Sequence, residues 1–89
     1  MRYPEYTGNE PRETIYVHIQ LEDDGQPYAT LHRSGPVREA AEHLFVPEQN
    51  FPVAEALHRA DALTRKHGAL LAVRIGEGVE WRDEWDVPR

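Results

Sequence analysis

The sequence contains no cysteine. Disulfide bonds, zinc–thiolate sites and thiol catalysis are therefore excluded. Long apolar runs are also missing: none reaches ten residues, whereas a membrane helix needs about 20. Because the polar N-terminus shows no signal-peptide pattern either, we expect a cytoplasmic protein without a membrane segment.

Basic residues are few, with ten lysines and arginines against sixteen acids and a net charge of -6. The acids dominate residues 1–50, with nine acids and four bases, and residues 76–89, with five acids and two bases. Such a surface repels phosphate backbones, which disfavours nucleic-acid binding as the main activity. A basic protein partner fits the charge better.

The 89 residues are enough for one domain with a modest core. Residues 1–13 have no apolar period and hold two prolines, one glycine and three glutamates. We expect this segment to be a flexible N-terminal arm. Residues 14–89 then form a single domain.

The stretch 51–68 carries the clearest helix pattern, since apolar and small residues recur at three- and four-residue steps. Pro52 suits the first turn, and Gly68 can close the last turn in the left-handed conformation. The predicted buried stripe consists of Val53, Ala56, Leu57, Ala60, Leu63, Thr64 and His67.

The opposite side of this helix is charged. Glu55 and Asp61 each precede an arginine by four residues, and each such pair stabilises a helix by about 0.2–0.5 kcal/mol. The outward bases Arg59, Arg65 and Lys66 form a basic strip. This strip leaves weak nucleic-acid binding as an alternative function.

Strict alternation over residues 14–22 predicts a half-buried strand, and residues 28–33 predict its hairpin partner. A loop of three or five residues keeps each face uniform, with Leu21 opposite Ala29. The same register sets His18 opposite His32.

Two more strands are predicted after the helix. Residues 69–75 are apolar on nearly both sides, and residues 79–87 alternate between apolar and charged positions with one break at Asp83. Residues 37–46 fit a short helix or an extra strand. We therefore predict a two-layer α+β fold, ββ-α-ββ, with one main helix on one face of an antiparallel sheet of about four strands.

Candidate chemistry is sparse. His18 and His32 are the best metal ligands, but a site needs a third ligand, which only His43 or Glu22 could supply. Exposed strand histidines are the simpler interpretation, so we predict no metal and no cofactor. Ser34 is the only serine, and its context is neither a nucleophile elbow nor a phosphate loop. We predict that the protein is not an enzyme.

Two tryptophans lie near the C-terminal end. Trp81 is predicted to join the core, and Trp85 either to join it or to be a partly exposed aromatic anchor for a partner. Further interaction candidates are Glu80, Glu84 and Asp86 around it, and Tyr28 on the outer face of the hairpin. The predicted function is a small acidic protein-interaction module that masks or inhibits a basic partner. The alternative is binding of a small ligand or metal on the outer hairpin face.

The order of an Asp-Gly hairpin, a connecting segment and a helix with the run Glu55-Ala56-Leu57 resembles the HicB-type antitoxin module over about half of the chain. Where that module has Pro-Leu-Pro-Gly after the second strand, this chain has Arg33-Ser34-Gly35-Pro36. The resemblance implies an acidic protein that covers a basic partner.

Overall fold

The computed structural model describes residues 3–34 and 49–86. Along the chain these form β1 (Thr14–Leu21), β2 (Pro27–Ser34), α1 (Val53–His67), β3 (Leu70–Ile75) and a short 3₁₀ helix (Asp83–Trp85). The segment 37–46, predicted as a helix or strand, lies outside the described residues. No helix within the described ranges is both long and apolar enough to cross a membrane.

The sheet has three strands in the order β2-β1-β3. β1 pairs with β2 in the antiparallel sense and with β3 in the parallel sense. The α+β class is confirmed, but the prediction of about four antiparallel strands is wrong. Phe51 exchanges two backbone hydrogen bonds with Ala29, so the chain is back near the start of β2 before α1 begins. The 15-residue helix then covers about 22 Å in one direction, and β3 returns alongside β1.

The predicted last strand is also absent from the described part of residues 79–87. After β3 the chain passes through a turn at residues 76–79 and then forms the 3₁₀ helix. The indole nitrogen Nε1 of Trp81 donates to Oδ2 of Asp86 at 2.9 Å. In an extended strand, residues five positions apart would be separated by about 16 Å, so this contact requires a folded segment.

The β1–β2 hairpin has an odd-length loop, as predicted. The backbone N–H of Gly25 donates to the carbonyl of Glu22 at 2.8 Å, and Gly25 has a φ of 82°. A type I turn followed by a glycine in this region is a common three-residue hairpin loop. The loop centres on Asp24 rather than Gly25, which shifts the pairing by two residues and keeps Ile15, Val17, Ile19, Ala29 and Leu31 on one face.

The shifted register places Ile19 opposite Ala29 and His18 opposite Thr30. The predicted pairing of His18 with His32 is therefore wrong, because His32 lies opposite Tyr16. The two histidines remain on the same face as diagonal neighbours.

α1 covers the inner face of the sheet. Its buried residues are Val53, Ala56, Leu57, Ala60 and Thr64, which confirms most of the predicted stripe; Leu63 is half-buried and His67 is exposed. Gly68 closes the helix with a φ of 66°, as expected for a left-handed C-cap. From the sheet, the side chains that pack against this helix layer are those of Ile15, Val17, Ile19, Ala29, Leu31, Leu71, Val73 and Ile75.

Part of the N-terminal arm lies along the free edge of β3. The N–H of Tyr6 donates to the carbonyl of Val73 at 2.8 Å, and the N–H of Val73 donates to the carbonyl of Pro4 at 2.9 Å. Tyr3 is buried and its ring meets that of Trp81 edge to face at 6.1 Å. Residues 3–6 thus pair with the edge of the sheet, and Tyr3 joins the core. The flexibility predicted for the arm as a whole stays a prediction.

Candidate functional site

A surface groove lies at the end of the sheet where the hairpin loop meets the segment after β3. Its volume is about 260 Å³. We call it the loop-end groove. Its lining residues are Leu21, Gly25, Pro27, Gly78, Val79, Glu80, Trp81, Arg82 and Trp85.

Apolar side chains contribute to the floor of the loop-end groove. Leu21 is 40% exposed, and among the described residues no other large hydrophobic side chain is classed as exposed. Val79 and Trp81 beside it are half-buried. Single exposed hydrophobic residues are common on protein surfaces, but here three apolar side chains share one concave site. The groove can therefore accept an apolar side chain from a partner.

The rim of the groove is acidic. The exposed carboxylates come from both sides of the sheet end: Glu22, Asp23 and Asp24 from the hairpin loop, and Glu77 and Glu80 from the segment after β3. Together, residues 22–27 and 76–86 hold eight acids and one base, and the rest of the chain holds eight acids and nine bases. The net negative charge of the whole protein thus resides at this end.

The one base in these two segments, Arg82, is already engaged. Its guanidinium lies 3.7 Å from a carboxylate oxygen of Glu84 and 5.6 Å from the ring centroid of Trp85. At that distance it interacts with the face of the ring. Because Arg82 contacts Glu84 and Trp85, the rim carboxylates have no other basic residue from these two segments beside them.

Hydrogen bonds fix the two walls of the groove. In the hairpin loop, Oδ1 of Asp24 accepts from the N–H of Gln26 at 2.9 Å. On the other side, the N–H of Gly76 donates to the carbonyl of Ile19 at 2.8 Å. Gly76 is needed at this position because a Cβ atom there would lie 2.6 Å from that carbonyl oxygen. These contacts hold the hairpin loop and the segment after β3 in place on either side of the groove.

Of the interaction residues predicted from the sequence, some are exposed and others are buried or half-buried. Glu80 and Glu84 are exposed near the groove, as expected for a charged rim. Trp85 is only 4% exposed, which corrects the expectation of an exposed anchor: its ring packs edge to face against Trp81 at 5.2 Å. Asp86 is half-buried as the acceptor for the Trp81 indole.

Tyr28 lies on the outer sheet face rather than in the groove, and its hydroxyl donates to Oε1 of Gln20 at 2.9 Å. The sequence interpretation missed the groove residues Leu21, Pro27 and Val79. One signal pointed to Leu21, because it is the last apolar residue of an alternating strand and directly precedes an acidic turn.

The outer sheet face carries the two candidate metal ligands. The ring centroids of His18 and His32 are 6.1 Å apart, and Nε2 of His32 lies 2.7 Å from Oγ1 of Thr30. Burial lowers the pKa of both rings, and the neighbouring Arg74 lowers it further. A guanidinium beside the pair also opposes the approach of a metal cation. Within the described ranges, no three potential metal-ligating residues lie close enough together to hold an ion.

Comparisons with protein-family models, with curated proteins and with solved structures found no match to this chain. The resemblance to the HicB-type antitoxin module therefore stays a prediction.

Proposed function

We propose that this protein is a non-enzymatic interaction module whose loop-end groove binds a basic segment of a partner protein. The supporting observation is the coincidence of two features at one end of the sheet. The acids that give the protein its net charge surround a groove whose floor includes the exposed Leu21. Charge on the rim and an apolar centre are the usual arrangement of a protein interface.

The size of the groove favours a peptide side chain over a small-molecule ligand. Drug-sized ligands and cofactors occupy enclosed pockets of about 300–1,000 Å³, and the loop-end groove holds about 260 Å³ on an open surface. Its described lining includes one carboxylate, from Glu80, and no serine or histidine. These groups suit binding better than nucleophilic catalysis.

We assign separate roles to the floor and the rim. Leu21, Val79 and Trp81 would contact an apolar anchor, which supplies most of the affinity of such a contact. The rim carboxylates would attract lysine or arginine residues on either side of the anchor, which raises the association rate and sets specificity. Masking of a basic partner, as in an antitoxin, is one form of this activity, and a cytoplasmic location is part of the proposal.

Two matched peptides test this function. One is a lysine-rich peptide with a single leucine, and the other has serine in place of the leucine. We expect the leucine peptide to bind more tightly and to shift backbone amide signals at residues 21–27 and 77–86. Leu21→Ser should remove the preference for leucine with little loss of stability, because Leu21 is 40% exposed. Equal affinity for the two peptides, or shifts concentrated on α1, would contradict the proposal.

A further inference from the structure

We infer that the outer face of the sheet holds a binding site for a small oxyanion, formed by His18, His32 and Arg74. We call these three residues the outer-face cluster. The cluster lies on the face of the sheet opposite α1, apart from the loop-end groove, and the inference does not depend on the function proposed for that groove.

The strand register brings the three side chains together. In β1, His18 lies between Thr30 of β2 and Arg74 of β3. His32 lies in the next row, opposite Tyr16. Neighbouring strands lie about 4.7–4.9 Å apart, so side chains opposite each other on one face are direct neighbours. One small anion can therefore reach the guanidinium and the imidazole of His18 at once.

The charge of this face differs from the rest of the protein. Its residues on the three strands are Thr14, Tyr16, His18, Gln20, Tyr28, Thr30, His32, Ser34, Leu70, Ala72 and Arg74, and none of them is an acid. Arg74 is exposed, and no described carboxylate forms an ion pair with it. A guanidinium offers a planar pair of N–H donors that matches a phosphate or carboxylate group.

Aromatic rings shield one side of the cluster. The rings of Tyr6 and Tyr16 stack with centroids 3.8 Å apart, and Tyr16 stacks on His32 at 5.0 Å. Partial burial beside these rings strengthens electrostatic interactions relative to open water. Partial burial is also the largest cause of the lowered pKa of His18 and of His32, and the positive charge of Arg74 is the next cause. An oxyanion held between Arg74 and His18 would offset the positive charge of Arg74 and stabilise the protonated form of the imidazole.

The NMR signals of the histidine rings report anion binding through the pKa of each ring. We expect sulfate, compared with chloride at the same ionic strength, to raise the pKa of His18 and His32 in a saturable manner. Sulfate keeps its charge through the histidine titration and serves as a probe for a tetrahedral oxyanion. A parallel titration with acetate distinguishes the sources: a larger shift with sulfate indicates a phosphate-type ligand, and a larger shift with acetate indicates a carboxylate.

Substitutions at Arg74 complete the test. Arg74→Gln should abolish the anion-dependent shift, and Arg74→Lys should weaken it because the paired donors are lost. Lys66→Gln removes an exposed base on α1 instead and should leave the shift unchanged. The inference is overturned if chloride produces the same shift as both oxyanions. It is also overturned if the shift persists in a folded Arg74→Gln variant. If that variant does not fold, a shift of full size in Arg74→Lys overturns it instead.

Discussion

Trp85→Ala should destabilise the protein severely, because this ring belongs to the core. A buried aromatic side chain removes about 150–250 Å² from water, which at about 25 cal/mol per Å² corresponds to about 4–6 kcal/mol. Measured losses for such truncations are about 3–5 kcal/mol. A domain of 89 residues is stable by about 4–13 kcal/mol. The substitution therefore removes a large part of the free energy of unfolding.

Urea unfolding followed by circular dichroism measures this loss, with Glu84→Gln as the control. Glu84 is an exposed neighbour, and surface substitutions usually change stability by less than about 0.5 kcal/mol. If Trp85→Ala does not fold, Trp81→Phe leaves Trp85 as the only tryptophan, and its emission should be blue-shifted and weakly quenched by acrylamide. A loss below about 1 kcal/mol, together with strong quenching, would refute the buried position of Trp85.

Two further predictions concern the sheet. Gly76→Ala should cost about 1–3 kcal/mol, because its Cβ would lie 2.6 Å from the Ile19 carbonyl oxygen; a change within about 0.5 kcal/mol in urea unfolding would show that no such close approach exists. Stability should also depend on pH: the pKa of His18 and of His32 is lower in the folded protein than the ordinary 6.5. The unfolded chain then binds more protons, so stability should fall as pH drops below about 6.5 and through the folded pKa. Replacing both histidines with glutamine should flatten this slope, and an unchanged slope in the double variant would assign it to other groups.

The helix was predictable from sequence because its signals are local. Three-to-four-residue spacing and the acid–base pairs lie within the 15 residues of the helix, and the glycine cap follows directly after them. The ion pairs Glu55–Arg59 and Asp61–Arg65 form at 3.1 and 3.2 Å, as the spacing indicated. Likewise, the alternation of apolar and polar residues was enough to predict a hairpin loop of odd length. A loop centred on Asp24 and one centred on Gly25 both keep the alternation, and the sequence pattern does not choose between them.

The sheet topology depends on contacts between distant residues. The strand after a helix can run parallel or antiparallel to β1. Here β3 is parallel, because the hydrogen bonds between Phe51 and Ala29, 22 positions apart in the chain, fix where the helix begins. The segment after residue 78 misled the prediction for another reason. Its alternating pattern fits a strand, but burial of Trp85 and the bond from Trp81 to Asp86 require a folded turn. Side-chain packing outweighed the local pattern.

The candidate site was only partly predictable. The acidic bias of residues 1–50 and 76–89 is visible in the sequence, and so is Glu80 as a rim residue. That the hairpin loop joins them could not be inferred, since Leu21 and Trp81 are 60 positions apart and meet only in the folded protein. The outer-face cluster was missed for the same reason, because Arg74 reaches His18 only through the parallel pairing of β1 with β3.

The affinity of the leucine-containing lysine peptide for charge variants tests the central proposal most directly. We predict that neutralising two rim acids, Glu77→Gln with Glu80→Gln, weakens binding about 2- to 30-fold, since each surface charge pair contributes about 0.2–1 kcal/mol. Glu55→Gln, which removes an exposed acid from α1, should leave the affinity unchanged. The difference should shrink as salt is added, because exposed charges are screened. Equal weakening by the groove variant and by the α1 variant would contradict the assignment of binding to the loop-end groove.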